Sequence, residues 1–127
     1  MLVRYRTHVS APARWLPVRP AAAASAVIAA AGIDEHNRMA HIGIELRPAF
    51  RGRGLGVDAV RVVCRYGFAL RGLHRLQLET LTDNHAMIAV AEKLGFTREG
   101  ATRGSSWMNG RFMDDVIFGL LAEEFPG

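Results

Sequence analysis

Cysteine and long apolar runs are both scarce in this sequence, and their scarcity excludes several classes of protein. The chain has 127 residues and one cysteine, Cys64, so no disulfide can form within it, and no His and Cys residues have the spacing of zinc ligands. No run reaches the roughly 18 apolar residues of a membrane span. The nearest run, residues 21–33, is mostly alanine and follows Pro17 and Pro20, which argues against an export signal. We predict a cytoplasmic protein with no metal and no membrane contact.

Lysine is scarce as well, because fifteen of the sixteen basic residues are arginine. The formal net charge is +4 and the pI is about 10.2, a balance that is common in proteins that bind nucleic acids. The arginines, however, are spread from Arg4 to Arg111 and do not form a run with interleaved aromatic residues. We therefore favour basic loops that contact an anionic cofactor, and keep an arginine-rich nucleic-acid module as a third hypothesis.

Chain length and composition predict one domain over residues 1–127, and the order of its predicted elements makes it an α/β domain. Half of the residues are hydrophobic and 22% are charged, which is typical of a packed core. Asn109-Gly110 is a typical hairpin turn, and Gly95 has a typical position for a helix end. Periodicity and turn residues predict, in order, a short strand 3–9 within an irregular arm (1–24), strands 25–33 and 40–46, helix 57–70, strand 76–82, helix 86–94, and strands 97–103 and 112–121. This order predicts a mixed sheet.

A glycine-rich loop joins strand 40–46 to the first long helix and is the strongest candidate for a binding site. Its residues are Arg51, Gly52, Arg53, Gly54, Leu55 and Gly56. A turn of this kind directs unpaired backbone N–H groups and the positive end of the helix dipole at a phosphate, and glycine allows close approach. Val57-Asp58 stands where a P-loop would need Lys-Ser or Lys-Thr, and G-x-G-x-x-G is absent.

The loop resembles a motif of the GNAT superfamily of N-acetyltransferases. Arg51-x-x-Gly54-x-Gly56 matches that family's pyrophosphate motif, and Asp83-Asn84 followed by residues 92–96 is similar to its next motif. The segment from residue 98 to Asp114 is similar to the ending of the RimJ/RimL branch. The three segments occur in the family order and together cover some ninety residues.

This resemblance implies a mostly antiparallel sheet with a V-shaped splay and flanking helices, in which the usual N-terminal helical part is shortened. Acetyl-CoA would be the co-substrate, and its pyrophosphate would bind the loop of residues 51–56. Its pantetheine arm would run beside Leu46 and Arg47, and Asn84 would either donate a hydrogen bond to the coenzyme or cap the second long helix. Where many relatives have a tyrosine acid this chain has Ala91, and where the RimJ/RimL branch often has a serine it has Met87.

Acetyl transfer to an amine needs a base, since an amine with a pKa near 10 is protonated at neutral pH. His41 and Glu45 share one face of strand 40–46. His41 stands where relatives often carry a glutamate thought to take the proton, so we predict His41 as the first candidate and Glu45 as the second. Solvent exposure of His41 and an ion pair of Glu45 with an arginine are the alternatives. Cys64 is interpreted as a core residue.

The leading functional hypothesis is an N-acetyltransferase that acts on a primary amine of a protein N-terminus or a small molecule, by direct attack in a ternary complex. The alternative is a degenerate GNAT domain that binds acyl-CoA or a protein partner without turnover. A homodimer is also predicted, because an acceptor side without its usual wall would leave apolar residues exposed. Its interface candidates, for which core packing is the alternative, are Trp15, Leu16, Trp107 and Phe112.

Overall fold

The computed structural model describes residues 2–5, 14–17, 26–46 and 55–127, with side chains over residues 33–42 and 56–127. The described residues form strands and helices in this order: β1 (Leu2–Tyr5), β2 (Arg14–Pro17), β3 (Ala26–Asp34), β4 (Met39–Leu46), α1 (Leu55–Arg65), β5 (Arg75–Leu81), α2 (His85–Lys93), β6 (Thr97–Met108) and β7 (Arg111–Leu121). A π-helical turn (Tyr66–Leu70) extends α1, and a short 3₁₀ turn (Ala122–Glu124) follows β7.

These strands make one seven-stranded sheet in the order β2-β1-β3-β4-β5-β7-β6. The β1–β3 and β4–β5 pairs are parallel, and the other neighbouring pairs are antiparallel. The mixed α/β fold with a mostly antiparallel sheet, expected from the sequence and the resemblance, is therefore confirmed.

The central parallel pair is joined along only part of its length. Strand β4 pairs with β5 from Met39↔Arg75 to Ile42↔Leu78. Beyond that point β4 continues to Leu46 against β3, while β5 continues to Leu81 against β7. The two strands part, and we call the gap that opens after the Ile42↔Leu78 pair the β4–β5 cleft. It has the form of the predicted V-shaped splay.

Both helices pack on one face of the sheet, α1 against β3 and β4, and α2 against β5. This face carries the apolar core because buried residues alternate along the strands, as the two-residue period requires. The sheet contributes Ala40, Ile42, Leu76, Leu78, Val116, Phe118 and Leu120 to the core, and the helices contribute Ala59, Val60, Val63, Cys64 and Ala91.

Helix α1 gives way at Tyr66 to the π-helical turn, which lies close to Leu76 of β5. At Gly67 an added Cβ would lie 3.3 Å from the side chains of both Leu73 and Leu76, so glycine allows the turn to approach the strand. The predicted helix over residues 57–70 therefore covers two elements of different pitch. Its predicted inner face is confirmed at Val60, Val63, Cys64 and Gly67, all of which are buried.

The other boundaries match the sequence predictions to different degrees. The β3–β4 hairpin is confirmed, and so is the turn at Asn109-Gly110, where both residues have positive φ values of 52° and 80°. Gly95, with φ of 88°, ends α2 as predicted. Strand β6 is longer than predicted because it continues past a bulge near residue 104. Within residues 1–24 the structure has β2 in addition to the single short strand that was predicted.

Candidate active site

The β4–β5 cleft is flanked by His41 from β4 and Glu79 from β5, on the face of the sheet opposite α1 and α2, which we call the open face. The last residues paired between β4 and β5 are Ile42 and Leu78. His41, which pairs with Gln77, comes one position before them, and Glu79 comes one position after. The His41 Nδ1 atom lies 3.0 Å from Glu79 Oε1, and the two side chains are 47% and 45% exposed. An ionised carboxylate accepts hydrogen bonds only, so in the neutral imidazole this contact favours the tautomer with the proton on Nδ1, which leaves Nε2 as an acceptor.

A β-bulge lies beside His41 on its other side. In the β3–β4 pair, Ala31 is opposite His41 and Ile33 is opposite Ala40, so Gly32 is an extra residue in β3. Bulges bend a strand and re-aim the neighbouring side chains, and they are frequent beside active sites. His41 therefore has the bulge of β3 on one side and, on the other, the point where β4 and β5 stop pairing.

Glu79 is in turn held by a row of polar side chains that crosses the open face, which we call the polar ladder. Gln77 Nε2 donates to Glu79 Oε1 over 2.6 Å, and Arg75 Nη2 donates to Gln77 Oε1 over 2.9 Å. Arg75 also makes a two-point ion pair with Glu99 of β6, with N···O distances of 2.5 and 2.8 Å. The ladder thus runs from Glu99 through Arg75, Gln77 and Glu79 to His41.

The charged end of the ladder has a clear electrostatic signature. The hydrogen bonds from Arg75 lower the pKa of the Glu99 carboxyl below its ordinary value, and those to Glu99 raise the pKa of the Arg75 guanidinium. Arg75 is the more buried partner, at 22% side-chain exposure against 38% for Glu99. The pair is bidentate, which adds geometric constraint to the charge interaction.

The first turn of α1 lies at the end of the segment that leaves β4. The first backbone N–H groups of any α-helix lack an intrahelical acceptor, and here they belong to the turn that starts at Leu55. Gly56 in this turn is buried and brings no side chain between those groups and a ligand. Leu46 is the last residue of β4. The remaining predicted coenzyme contacts, Arg47, Arg51, Gly52, Arg53 and Gly54, lie outside the described residues.

Asn84 caps α2, which was one of its two predicted roles. Its side-chain oxygen accepts a hydrogen bond from the Met87 backbone N–H over 3.2 Å. Its Nδ2 donates to the hydroxyl of Thr80 over 3.0 Å, which ties the start of α2 to β5. The other predicted role, a hydrogen bond to the coenzyme, stays a prediction.

The remaining candidates are placed as follows. Glu45 lies in β4 four residues after His41 and is paired with Val27 of β3. Its side chain is outside the described set. Cys64 is fully buried, and burial raises the pKa of its thiol to about 12, which confirms it as a core residue. Ala91 is buried as well, on the inner side of α2, so the position where many relatives have a tyrosine is part of the core here.

Glu79 was not singled out from the sequence. Its signal was the polar alternation of β5, in which Gln77 and Glu79 face away from Leu76 and Leu78. That alternation identifies a solvent-facing side but not the partner, because His41 is 38 residues away in the chain.

Trp107 and Phe112, two of the interface candidates, face each other across the β6–β7 hairpin. Their ring centroids are 4.7 Å apart in an edge-to-face arrangement, and the residues are 62% and 68% exposed. Core packing, the alternative for these residues, is therefore wrong. The side chains of Trp15 and Leu16 lie outside the described set.

Comparison with known proteins places this geometry in a family. A family model described as an acetyltransferase (GNAT) domain matches residues 6–97. The chain is 34% identical over 95 residues to the "Putative ribosomal N-acetyltransferase YdaF" of Bacillus subtilis (strain 168), an alignment that covers 75% of this chain and 52% of that protein. The chain belongs to the GNAT acetyltransferase family. It spans about half the length of the curated relatives it matches.

Solved structures agree on the fold. A structure titled as that of a probable acetyltransferase superposes with a TM-score of 0.76 and 32% identity, covering 80% of this chain and 57% of the other. A spermidine N-acetyltransferase from Vibrio cholerae in complex with CoA and spermine superposes with a TM-score of 0.72 and 24% identity, over 76% of this chain and 57% of that one. The second likeness supports the fold alone.

Two further findings concern only the part of the chain that the structure describes. No helix there is long and apolar enough to cross a membrane. No group of three or more His, Cys, Asp or Glu side chains there is arranged to hold a metal ion.

Proposed function

We propose that this chain carries the coenzyme site and the catalytic centre of an N-acetyltransferase, which transfers the acetyl group of acetyl-CoA to a primary amine of a protein N-terminus or a small molecule. The observation that carries the proposal is the β4–β5 cleft, which opens at the His41–Glu79 pair and lies between β4 and the strand that leads to α2. Membership of the GNAT acetyltransferase family supports it. We further propose that the chain is cytoplasmic and RimJ/RimL-like.

The described residues fit acetyl-CoA in two ways. The first turn of α1, with Gly56 buried in it, offers backbone N–H groups and the positive end of the helix dipole to a pyrophosphate. Beyond Ile42, the edge of β4 that faces the cleft has no pairing with β5, so its peptide groups are available to the amides of a pantetheine arm. Loop residues 51–54 with Arg47 would add charge and close backbone approach to the same site.

The proposed reaction is a direct transfer with no covalent enzyme intermediate and no metal. The amine lone pair attacks the thioester carbonyl carbon, a C–N bond forms, the C–S bond breaks, and the electron pair leaves with the sulfur. His41 Nε2 is the group proposed to accept the proton that the ammonium form of the amine loses before attack, because Nδ1 is directed at Glu79. Glu45 is the second candidate for this role. The second proton, which the nitrogen loses as the amide forms, neutralises the departing thiolate.

A panel of amines tests the function directly. Purified protein is given acetyl-CoA with a protein N-terminal peptide, an amino acid, a polyamine or an aminoglycoside, and free thiol is measured. The proposal expects amine-dependent thiol release with at least one member and a matching acetylated product. Coenzyme binding without thiol release from any amine would instead support a degenerate domain, an alternative that the buried Ala91 at the usual tyrosine position favours.

Calorimetry tests the coenzyme site separately from turnover. Gly54→Glu would place a carboxylate and a side chain where the pyrophosphate is expected, so acetyl-CoA binding should be lost while the fold remains. Glu92→Gln, an exposed change on α2, is the matched control and should bind as the unmodified chain does. Equal affinity in Gly54→Glu would refute the site.

We also propose a homodimer whose interface includes the exposed Trp107 and Phe112 pair. Two large exposed aromatic residues side by side are typical of interfaces, and self-association with two-fold symmetry is the most common form. Light scattering at micromolar protein, with and without acetyl-CoA, should give the mass of a dimer, and Phe112→Asp should give a monomer. A monomeric protein that turns over amines would contradict the dimer.

A further inference from the structure

We infer that Glu79 is a positioning residue for His41, and that the polar ladder holds its carboxylate in place. The inference rests on the proposed function, in which His41 accepts the proton of the amine. Glu79 would act through the imidazole: its carboxylate keeps the proton on Nδ1, so that Nε2 presents a lone pair beside the β4–β5 cleft.

The contacts of Glu79 fix both the position and the direction of its carboxylate. Oε1 accepts from His41 Nδ1 of the neighbouring strand β4 over 3.0 Å and from Gln77 Nε2 of its own strand β5 over 2.6 Å. Gln77 cannot rotate freely, because its own oxygen accepts from Arg75. An exposed glutamate would otherwise sample several rotamers, and the ladder restricts it to the one that meets the imidazole.

The far end of the ladder is fitted to the fold by two backbone features. Glu99 occupies the extra position of a β-bulge between Arg98 and Gly100, which turns its side chain across β7 toward Arg75. The residue between them on β7 is Gly119, where an added Cβ would overlap Arg75 Nη1 and Glu99 Oε2. The two-point ion pair thus requires glycine at position 119.

Among the described side chains, those on the His41 side of the sheet come from β5, which presents Glu79 and Gln77. The β3 residue paired with His41 is Ala31, which carries no charge. Along β4 itself, Glu45 lies on the same face by the two-residue period. Glu79 is therefore the carboxylate in contact with the ring among the described side chains, and the others named do not replace it.

Nitrogen NMR of the His41 ring tests the inference without using activity. Long-range ¹H–¹⁵N correlations distinguish the two neutral tautomers, and His41→Ala identifies the signal. In the unmodified chain the proton should reside on Nδ1. In Glu79→Leu no side-chain oxygen at this position can accept from Nδ1, so the proton should shift toward Nε2, while Glu92→Gln should leave the spectrum unchanged. A proton that stays on Nδ1 in Glu79→Leu would overturn the inference, whatever the turnover.

Kinetics provide the second arm. Glu79→Leu should lower kcat at least about tenfold, as expected when a general base is no longer held in its working tautomer, with the KM for acetyl-CoA unchanged. Glu79→Asp, which keeps the charge, should recover part of that loss. If the tautomer changes but kcat is unaltered in Glu79→Leu and also in His41→Ala, the positioning role and the proposed base are both wrong, while the cleft and its coenzyme site stand.

Gly119→Ala probes the ladder from its far end. The added methyl should displace the Arg75–Glu99 pair, whose atoms are at the ends of flexible side chains, and should lower kcat as Glu79→Leu does but by less. Gly100→Ala is the matched control, because its added Cβ would meet no atom within 4 Å. Equal kinetics in the two alanine variants would show that the ladder does not hold Glu79.

Discussion

The two faces of the β4–β5 pair are built from alternate residues of the same two strands, but one face is apolar and buried and the other is polar and partly exposed. One face carries Ala40 and Ile42 with Leu76 and Leu78, each at most 3% exposed beneath α1 and α2. The other carries His41 with Arg75, Gln77 and Glu79, which are half-exposed or partly buried and hydrogen-bonded in a row.

The difference teaches where stability and chemistry are located in this fold. Buried apolar area stabilises the chain by about 25 cal/mol per Å², so the helix-covered face carries most of the stability. The open face contributes little by burial, because its groups are solvated or paired. It can therefore vary its polar residues for function at low cost to folding, and changes on the two faces should separate cleanly.

The largest expected effect is the contrast between Leu78→Ala and Gln77→Ala. Leu78 is 1% exposed in the core, so truncation should cost about 2–5 kcal/mol of unfolding free energy. Its neighbour Gln77 lies on the open face and makes two side-chain hydrogen bonds, so its truncation should cost about 0.5–1.5 kcal/mol. Urea unfolding followed by circular dichroism measures both. Equal losses of unfolding free energy in the two variants would contradict the claim that the helix-covered face carries most of the stability.

The reactivity of Cys64 tests whether solvent and reagents reach the core beneath the helices. Burial raises the pKa of its thiol from 9.0 to about 12, so the native chain should resist a thiol reagent that reacts at once with the unfolded chain. The unfolded thiol ionises first, so stability should be full below pH 9.0 and should fall as the pH rises toward 12. Cys64→Ala removes that alkaline decline. Rapid labelling under native conditions would mean that the core is open.

The smallest expected effect concerns the Arg75–Glu99 pair on the open face. Arg75 lowers the pKa of Glu99 below its ordinary value of 4.5, so the pair stabilises the fold above that pH. As the pH falls below it, the unfolded state binds the proton first and the contribution is lost. Glu99→Gln should flatten this part of the stability curve, with a total effect below about 1 kcal/mol. Glu92→Gln is the control. If Glu99→Gln is as stable as Glu92→Gln at neutral pH and still loses stability as the pH falls, the pair does not stabilise the fold.

Local patterns in the sequence predicted most of the elements. The alternation of Leu76 and Leu78 predicted β5, Asn109-Gly110 predicted the last hairpin, and the polar turn after residue 33 predicted the β3–β4 hairpin. These signals are carried by neighbouring residues, and the structure agrees because tertiary packing favours the same conformations. The arm before residue 25 lacked such a period, so β2 and the parallel pairing of β1 with β3 were not predicted.

The site was predicted less completely than the fold. The strand period indicated that His41 faces away from the core, but its contact with Glu79 depends on the register of a parallel pair whose strands are separated by α1. The same holds for the Arg75–Glu99 pair, which depends on a bulge that no local pattern marks. Coenzyme contacts at residues 51–54 remain predictions from the motif.

The central claim, that the open face at His41 performs the chemistry, is tested most directly by the kcat/KM of His41→Ala for the best amine of the panel. We predict a loss of at least about tenfold, as expected for a general base, with acetyl-CoA affinity unchanged. His74→Ala, an exposed histidine in the loop before β5, is the control and should match the unmodified chain. If His41→Ala also matched it, the assignment of His41 as the base would be contradicted, and a loss confined to Glu45→Gln would transfer the role to that residue.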